Sequence, residues 1–252
     1  MLPGVSEVTD ALAVRAKGLR FAYRRNQWVI RDVDLQVPRG QICAVLGPSG
    51  AGKSTLLRLL AGLLHPQQGI VEVLGADIHN HLPATIRRRI GYIPQQLGLI
   101  RSRTALENVL MGALGRLGGL GPLLGLFPKE EVERARSLLS ALGIEDKAHE
   151  KAFRLSGGER QRVAIGRALM QEPLVIMADE FVSDLDLPLA AEILGKMRQL
   201  VHQKGLSLVV NMHELPLVRE YVDIAIVLKQ GQIIFSGPAQ ELTWSLLEEA
   251  RR

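Results

Sequence analysis

The sequence predicts an α/β fold whose strand-and-helix core is interrupted by a helical insertion. Short apolar strand-like runs alternate with helical periodicity in the first and last thirds of the chain. A glycine-rich turn at 47–55 joins a buried strand to a helix, and the stretch between Pro94 and Leu174 is patterned mainly as helix. At roughly 100 to 200 residues per domain, 252 residues allow one large domain, or one with an embedded subdomain.

The elements follow in order. Val14 to Tyr23 and Trp28 to Val37 are β-rich, and Gln41 to Leu46 is an apolar run ending at Gly47 and Pro48, as a buried strand would. Leu56, Leu57, Leu59, Leu60 and Leu63 then recur at helical spacing, so a helix is expected from Lys53 to Gly62 with Gly62 as its C-cap. Gly69 to Leu74 and Ile90 to Pro94 read as strands. Thr104 to Leu114 and Lys129 to Leu142 read as helices, the second with acidic residues in its first turn, where the helix dipole favours them. The alternation resumes with a strand at Leu174 to Ala178, a helix at Leu187 to Gln203, a strand at Leu206 to Met212, a hairpin pivoting at Gln230 and Gly231, and an amphipathic helix from Trp244 to Arg252.

Composition narrows the function. With 47% hydrophobic and 23% charged residues the chain suits a packed globular domain. Its single cysteine, Cys43, cannot form an internal disulfide, which points to a reducing compartment. The net charge of +5 suggests an anionic partner, yet 3 Tyr, 5 Phe and 2 Trp supply no base-stacking platform, so nucleic acid is not expected. No apolar run reaches the roughly 18 to 20 residues of a spanning helix. With Glu7 and Asp10 near its start and no basic segment leading an apolar one, the N-terminus is not expected to be a signal peptide. A cytosolic protein is expected.

Gly47-Pro48-Ser49-Gly50-Ala51-Gly52-Lys53-Ser54-Thr55 is a P-loop pattern. Its glycines let successive backbone N–H groups converge on phosphate oxygens at a helix N-terminus, Lys53 reaches the outer phosphates, and the Ser54 hydroxyl suits Mg2+. A nucleoside triphosphatase also needs a carboxylate beside the metal and a group that orients the attacking water. Leu174-Val175-Ile176-Met177-Ala178-Asp179-Glu180 ends an apolar strand in two such groups. If the chain turns there, Asp179 faces the metal and Glu180 the water.

Immediately upstream, Leu155-Ser156-Gly157-Gly158-Glu159 reads as a helix start, with Ser156 as N-cap and Glu159 as its capping-box partner. Capping alone does not call for two glycines, which would suit close approach of a second anion. With this segment the chain resembles, over nearly its whole length, the nucleotide-binding subunits of ATP-binding cassette (ABC) transporters. The resemblance implies a P-loop NTPase with a RecA-like core and an antiparallel β subdomain (1–95 and 160–252), and an inserted helical subdomain (96–159) carrying the signature motif. It implies ATP and Mg2+ as ligands. The signature residues Ser156, Gly157 and Gly158 would cap the γ phosphate held by the P-loop of a second, head-to-tail copy.

The same resemblance assigns Tyr23 to the aromatic position stacking on adenine, Gln95 (with Gln96 as the alternative register) to the glutamine that senses Mg2+ and faces the membrane subunit, and His213, 33 residues after Glu180, to the histidine that contacts the γ phosphate. Ser183-Asp184-Leu185-Asp186 matches the D-loop, with Asp186 as its main carboxylate; Phe181 and Asp184 stand where the family more often has Pro and Ala. Lys53, Gln95, Glu180 and His213 would be the catalytic set. The implied partners are an identical subunit, integral membrane permeases and, indirectly, an external solute-binding protein, with the chain peripheral on the cytoplasmic face of the membrane.

Within the family, Arg88-Arg89-Ile90-Gly91, Glu107-Asn108-Val109-Leu110-Met111-Gly112, Leu123-Leu124-Gly125-Leu126-Phe127 and Met177-Ala178-Asp179-Glu180 are similar to the phosphonate and phosphite importer ATPases. Leu120-Gly121-Pro122 departs from the Trp-Arg-Ser run often found there. The alternatives are a soluble cassette ATPase serving an enzyme assembly of the carbon–phosphorus lyase type, an importer ATPase for another solute, and a small-molecule kinase, which would not need the signature segment.

Overall fold

The computed structural model describes residues 12–25, 27–80, 82–118, 120–182 and 185–251. Glu7, Asp10, Ser183, Asp184 and Arg252, on which some of the expectations above rest, lie outside the described residues. The chain opens with β1 (Leu12–Arg24), β2 (Gln27–Pro38) and β3 (Ile42–Leu46), followed by α1 (Lys53–Leu60), β4 (Gln68–Val73), β5 (Ala76–Asp77), α2 (Ala84–Arg87) and β6 (Ile90–Ile93). The central stretch holds α3 (Ala105–Leu110), α4 (Lys129–Ala141) and α5 (Gly157–Met170) with short 3-10 turns between them. Then come β7 (Val175–Ala178), α6 (Leu187–Lys204), β8 (Ser207–Asn211), α7 (Leu215–Tyr221), β9 (Ile224–Lys229), β10 (Gln232–Pro238) and α8 (Trp244–Arg251). The short elements β5, α2 and α7 were not expected from the pattern; each is too brief to show a period of its own.

Two sheets result. The larger has the order β10-β9-β3-β8-β7-β6, parallel except for the antiparallel β9–β10 hairpin, and the smaller is antiparallel in the order β2-β1-β4-β5. The central strands are apolar throughout because both of their faces are covered. Alternation divides them: Ile42, Ala44 and Leu46 join one core, while Cys43 and Val45 join the other. β7 and β8 divide in the same way, with Ile176, Ala178, Leu208 and Val210 on the first side and Val175, Met177 and Val209 on the second. The second core includes Leu56, Leu57, Leu59 and Leu60 of α1 together with residues of the small sheet, so α1 is held between the sheets. Burial pushes the Cys43 thiol up to about 12, with Asp223 adding to the shift.

The helices α3, α4 and α5 pack on the other core. The expected boundary between 159 and 160 falls inside α5, whose N-cap Ser156 and capping-box partner Glu159 belong to the same helix as the later turns. Arg167 of that helix donates to the carbonyls of Leu97 and Gly98, tying α5 to the loop that follows Gln95. Glu172 gathers Arg89, Arg116 and Arg134, which draws α4 and the turn after α3 towards the start of β7.

Phe181, where the related family more often has Pro, is wholly buried in the core that these helices share with the sheet. Its ring does packing work that a proline could not. Phe181→Ala is expected to lower stability by about 3–5 kcal/mol, read from the urea midpoint at unchanged m-value.

Candidate functional site

The site forms where β3 ends. Gly47 has φ 143, and a Cβ there would lie 2.1 Å from the Leu228 carbonyl oxygen, so the turn runs too close to β9 for any side chain. Gly52 caps α1 at φ 104 with no side-chain hydrogen bond to the helix, which leaves the first amides of α1 without a side-chain cap. Ala51 accepts from the Gly231 amide at 3.0 Å, bracing the loop against the β9–β10 hairpin. Ser49 and Gly50 are exposed, and Val29, Ser49, Gly50, Gly52, Lys53, Ser54, Thr55 and Glu180 line an open cleft of about 300 Å³.

Lys53 Nζ donates to the Gly47 and Pro48 carbonyls at 2.9 and 3.1 Å. Burial pushes its ammonium below its usual value, opposed by the negative charges of Glu180 and Asp179. Thr55 follows on α1, and its hydroxyl meets the Tyr23 hydroxyl at 3.3 Å. The Tyr23 ring is 54% exposed and stands edge-on to Phe21 at 4.8 Å, leaving an aromatic surface open beside the loop.

β7 brings the carboxylates across. Asp179 is wholly buried and its Oδ1 accepts from Ser54 Oγ at 2.9 Å. Its Oδ2 is buried without a hydrogen-bond partner among the described residues. Glu180 has φ 51, the left-handed region that non-glycine residues enter at a cost. This single backbone reversal separates the two neighbouring carboxylates, as the expected turn at the strand end requires. Gln95 Nε2 donates to Glu180 Oε2 at 2.6 Å, and His213 Nε2 lies 3.3 Å from Glu180 Oε1. Thus Gln95 after β6, Glu180 after β7 and His213 after β8 converge at one edge of the sheet.

The signature residues are placed differently. Ser156 Oγ accepts from the Glu159 amide at 3.3 Å, and Glu159 returns to the Ser156 amide at 2.8 Å. The two glycines are not equivalent. A Cβ on Gly158 would come within 2.5 Å of Leu189 Cδ2, so this glycine makes room for α6, whereas a Cβ on Gly157 would meet nothing within 4 Å. Asp186 N-caps α6, accepting from the Leu189 amide at 2.9 Å. None of Ser156, Gly157, Gly158 and Asp186 lines the phosphate-loop cleft of their own chain.

The sequence reading passed over Asn211. It is wholly buried at the end of β8, and its Nδ2 donates to Asp179 Oδ1 at 2.5 Å. The available signal was a lone amide closing an otherwise apolar strand.

The oxygen chemistry fits Mg2+. Ser54 and Asp179 offer two hard oxygen donors beside the phosphate loop, and Asp179 Oδ2 is a buried carboxylate oxygen in need of a partner. Among the described residues no group of three or more His, Cys, Asp or Glu forms a metal cage. Mg2+ characteristically takes its remaining ligands from water and substrate phosphates.

A P-loop, a carboxylate strand, a capped Gly-Gly helix and the Gln95–Glu180–His213 cluster on one α/β sheet define a nucleotide-hydrolysing cassette. The ABC transporter family matches residues 30–183, and the chain belongs to that family as an ATP-binding, ATP-hydrolysing subunit. It is 37% identical over 235 residues to the phosphonates import ATP-binding protein PhnC 2 of Halalkalibacterium halodurans, covering 92% of this chain and 96% of the relative. It is 39% identical to the phosphonates import ATP-binding protein PhnC of Thiobacillus denitrificans, over 85% of this chain and 83% of the relative. Among solved structures, a nucleotide-free ATP-binding cassette from an ABC transporter superposes with a TM-score of 0.82 at 29% identity, over 96% of this chain and 99% of that one. A dimeric cassette in a post-hydrolysis state with ADP and Pi superposes at 0.78 with 30% identity, over 91% of this chain and 100% of that one.

Gly47→Ala combines backbone strain of about 1–3 kcal/mol with the collision against Leu228, so ATP affinity is expected to fall about tenfold or more. A fluorescent nucleotide titration on folded variant checks it; unchanged affinity would remove the close turn from phosphate binding.

Proposed function

We propose that this chain energises the import of phosphonate, phosphite or a related phosphorus compound, acting as a head-to-tail homodimer on the cytoplasmic side of membrane permease subunits. The observation that carries the solute class is the similarity over nearly the whole chain to relatives named for phosphonate import. The dimer reading is supported by the open surface at Gly157 and by the position of the signature residues outside their own cleft. A second copy would bring them to the phosphate.

In this reading the amides at the start of α1 and the Lys53 ammonium bind the outer phosphates, with Lys53 exchanging the Gly47 and Pro48 carbonyls for phosphate oxygens. Tyr23 offers its open ring to adenine. Ser54, Asp179 and Gln95 would hold Mg2+, which when bound neutralises developing phosphate charge. Glu180 orients and polarises the attacking water, and His213 contacts the γ phosphate. Gln95 and His213 both contact the Glu180 carboxylate, so the two side chains would orient the group that activates water. Asp186, already a helix cap, would carry the D-loop role at the dimer seam.

A larger cleft, about 660 Å³, opens between α2 and β6 on one side and the turn after α3 and helix α5 on the other, and Arg87, Tyr92, Met111, Gly115 and Arg167 are among its lining residues. We assign this groove to a cytoplasmic segment of the permease. Arg167 lines it while holding the loop after Gln95, which gives docking a direct mechanical route to the site.

Glu180→Gln is expected to keep ATP binding, lower hydrolysis by about 10²–10⁴-fold and accumulate an ATP-dependent dimer on gel filtration; normal turnover would remove Glu180 from its role. The solute is tested by growth of a strain lacking the protein on phosphonate, phosphite or phosphate as sole phosphorus source. Loss on a reduced phosphorus compound, rescued by wild type and not by Lys53→Ala, is expected. Uptake of the labelled compound then separates import from service to a degradative assembly, and normal growth on all three would sink the phosphorus assignment.

A further inference from the structure

The face of the central sheet that meets α1 is built from Cys43, Val45, Val175, Met177 and Val209, all apolar. Alternation along β8 puts Asn211 on the same side as Val209, and the amide is wholly buried. An unexploited carboxamide in such surroundings costs free energy that a valine or leucine would not. Its position explains its presence. β8 lies between β3 and β7 in the sheet, with Asn211 opposite Val45 on one side and Val210 opposite Ala178 on the other. Asn211 therefore sits between the strand that feeds the phosphate loop and the strand that delivers Asp179.

Asp179 Oδ1 has two partners, Ser54 Oγ at 2.9 Å and Asn211 Nδ2 at 2.5 Å. A carboxylate accepts and an amide nitrogen donates, so the orientation of the Asn211 side chain follows from its neighbour. The two donors differ in tenure. Ser54 is itself one of the oxygens offered to a cation, and a hydroxyl oxygen engaged there would no longer be tied to Asp179 alone. Asn211 Nδ2 has Asp179 as its acceptor, while Asn211 Oδ1 is buried without a partner among the described residues. The Nδ2 donor can keep one oxygen of Asp179 occupied while Asp179 Oδ2, which has no partner among the described residues, stays available.

We propose that Asn211 is a positioning residue for metal binding: its side-chain amide holds Asp179 by Oδ1 and presents Oδ2 to the cation or to a water on it. The inference rests on the reading of Asp179 as a metal-site carboxylate. Groups that orient a metal-site carboxylate typically affect metal affinity by 10- to 100-fold, whereas nucleotide binding without metal depends on the phosphate loop and not on Asp179.

The experiment uses the full chain with a non-hydrolysable ATP analogue and Mn2+ as the metal, titrated by the electron paramagnetic resonance of the free ion. The variants are Asn211→Leu, which keeps the branched skeleton and removes the donor, Asn211→Ser, a small polar replacement too short to reach, and Asp179→Asn. Nucleotide affinity in EDTA is measured in parallel. Both Asn211 variants are expected to weaken Mn2+ by about tenfold or more while metal-free nucleotide affinity stays within about twofold. If the leucine variant does not fold, the serine variant decides. Wild-type Mn2+ affinity in a folded Asn211 variant, with Asp179→Asn impaired, overturns the role of Asn211 alone. Wild-type affinity in Asp179→Asn overturns the reading of Asp179 beneath it. Equal loss of metal-free nucleotide binding in the Asn211 variants also overturns the proposal, because Asn211 would then support the phosphate loop as a whole.

Discussion

The contact of the Gly47 backbone with the Leu228 carbonyl sets the geometry on which the rest of the site depends. It lets the chain leave β3 at the sheet's edge and reverse into α1 without a side chain intervening, so the helix N-terminus opens where the parallel strands end. A parallel sheet delivers the ends of β3, β6, β7 and β8 to the same edge, and the phosphate loop, Gln95, Asp179, Glu180, Asn211 and His213 all lie at or just beyond those ends. Residues far apart in sequence meet because the strands share a direction, each crossover carrying the chain back before the next strand begins.

Electrostatics reinforces this arrangement. Lys53 is buried at a cost to its charged form, and the carboxylates of Asp179 and Glu180 partly offset that cost. Asp179 is itself wholly buried and relies on neutral donors, Ser54 and Asn211, for direct hydrogen bonds. The site thus gathers opposite charges, and the left-handed backbone at Glu180 separates its carboxylate from that of Asp179. A buried group lacking its partner is costly, which is why strands and loop must be placed together.

The helical part contributes no side chain to the lining of the phosphate-loop cleft. Its signature helix is capped locally, packed against α6 through Gly158 and joined to the loop after Gln95 by Arg167. Direct contacts thus connect this helix, through the loop after Gln95 and the Gln95–Glu180 hydrogen bond, to Glu180. Gly157 is exposed, and neither it nor its neighbours Ser156 and Gly158 line the chain's own phosphate-loop cleft.

Much of this was legible in the sequence. Glycine spacing, Lys53 and Ser54 determined the phosphate cradle, because only that local backbone chemistry makes an anion site at a helix start; the apolar run ending in Asp179 and Glu180, and the capping box at Ser156 and Glu159, were equally local. Periodicity located all the longer elements, and it missed β5, α2 and α7, which are set by the segments around them. The family resemblance, rather than any spacing rule, singled out Tyr23, Gln95 and His213. Only the tertiary structure decided that Gln95 and His213 both reach Glu180, that Gly158 serves packing while Gly157 stays open, that Phe181 fills the core, and that Asn211 touches Asp179. Each of these depends on how strands and helices distant in sequence are brought together, and a linear pattern records which way a side chain faces along its own element without recording what the neighbouring element places opposite it.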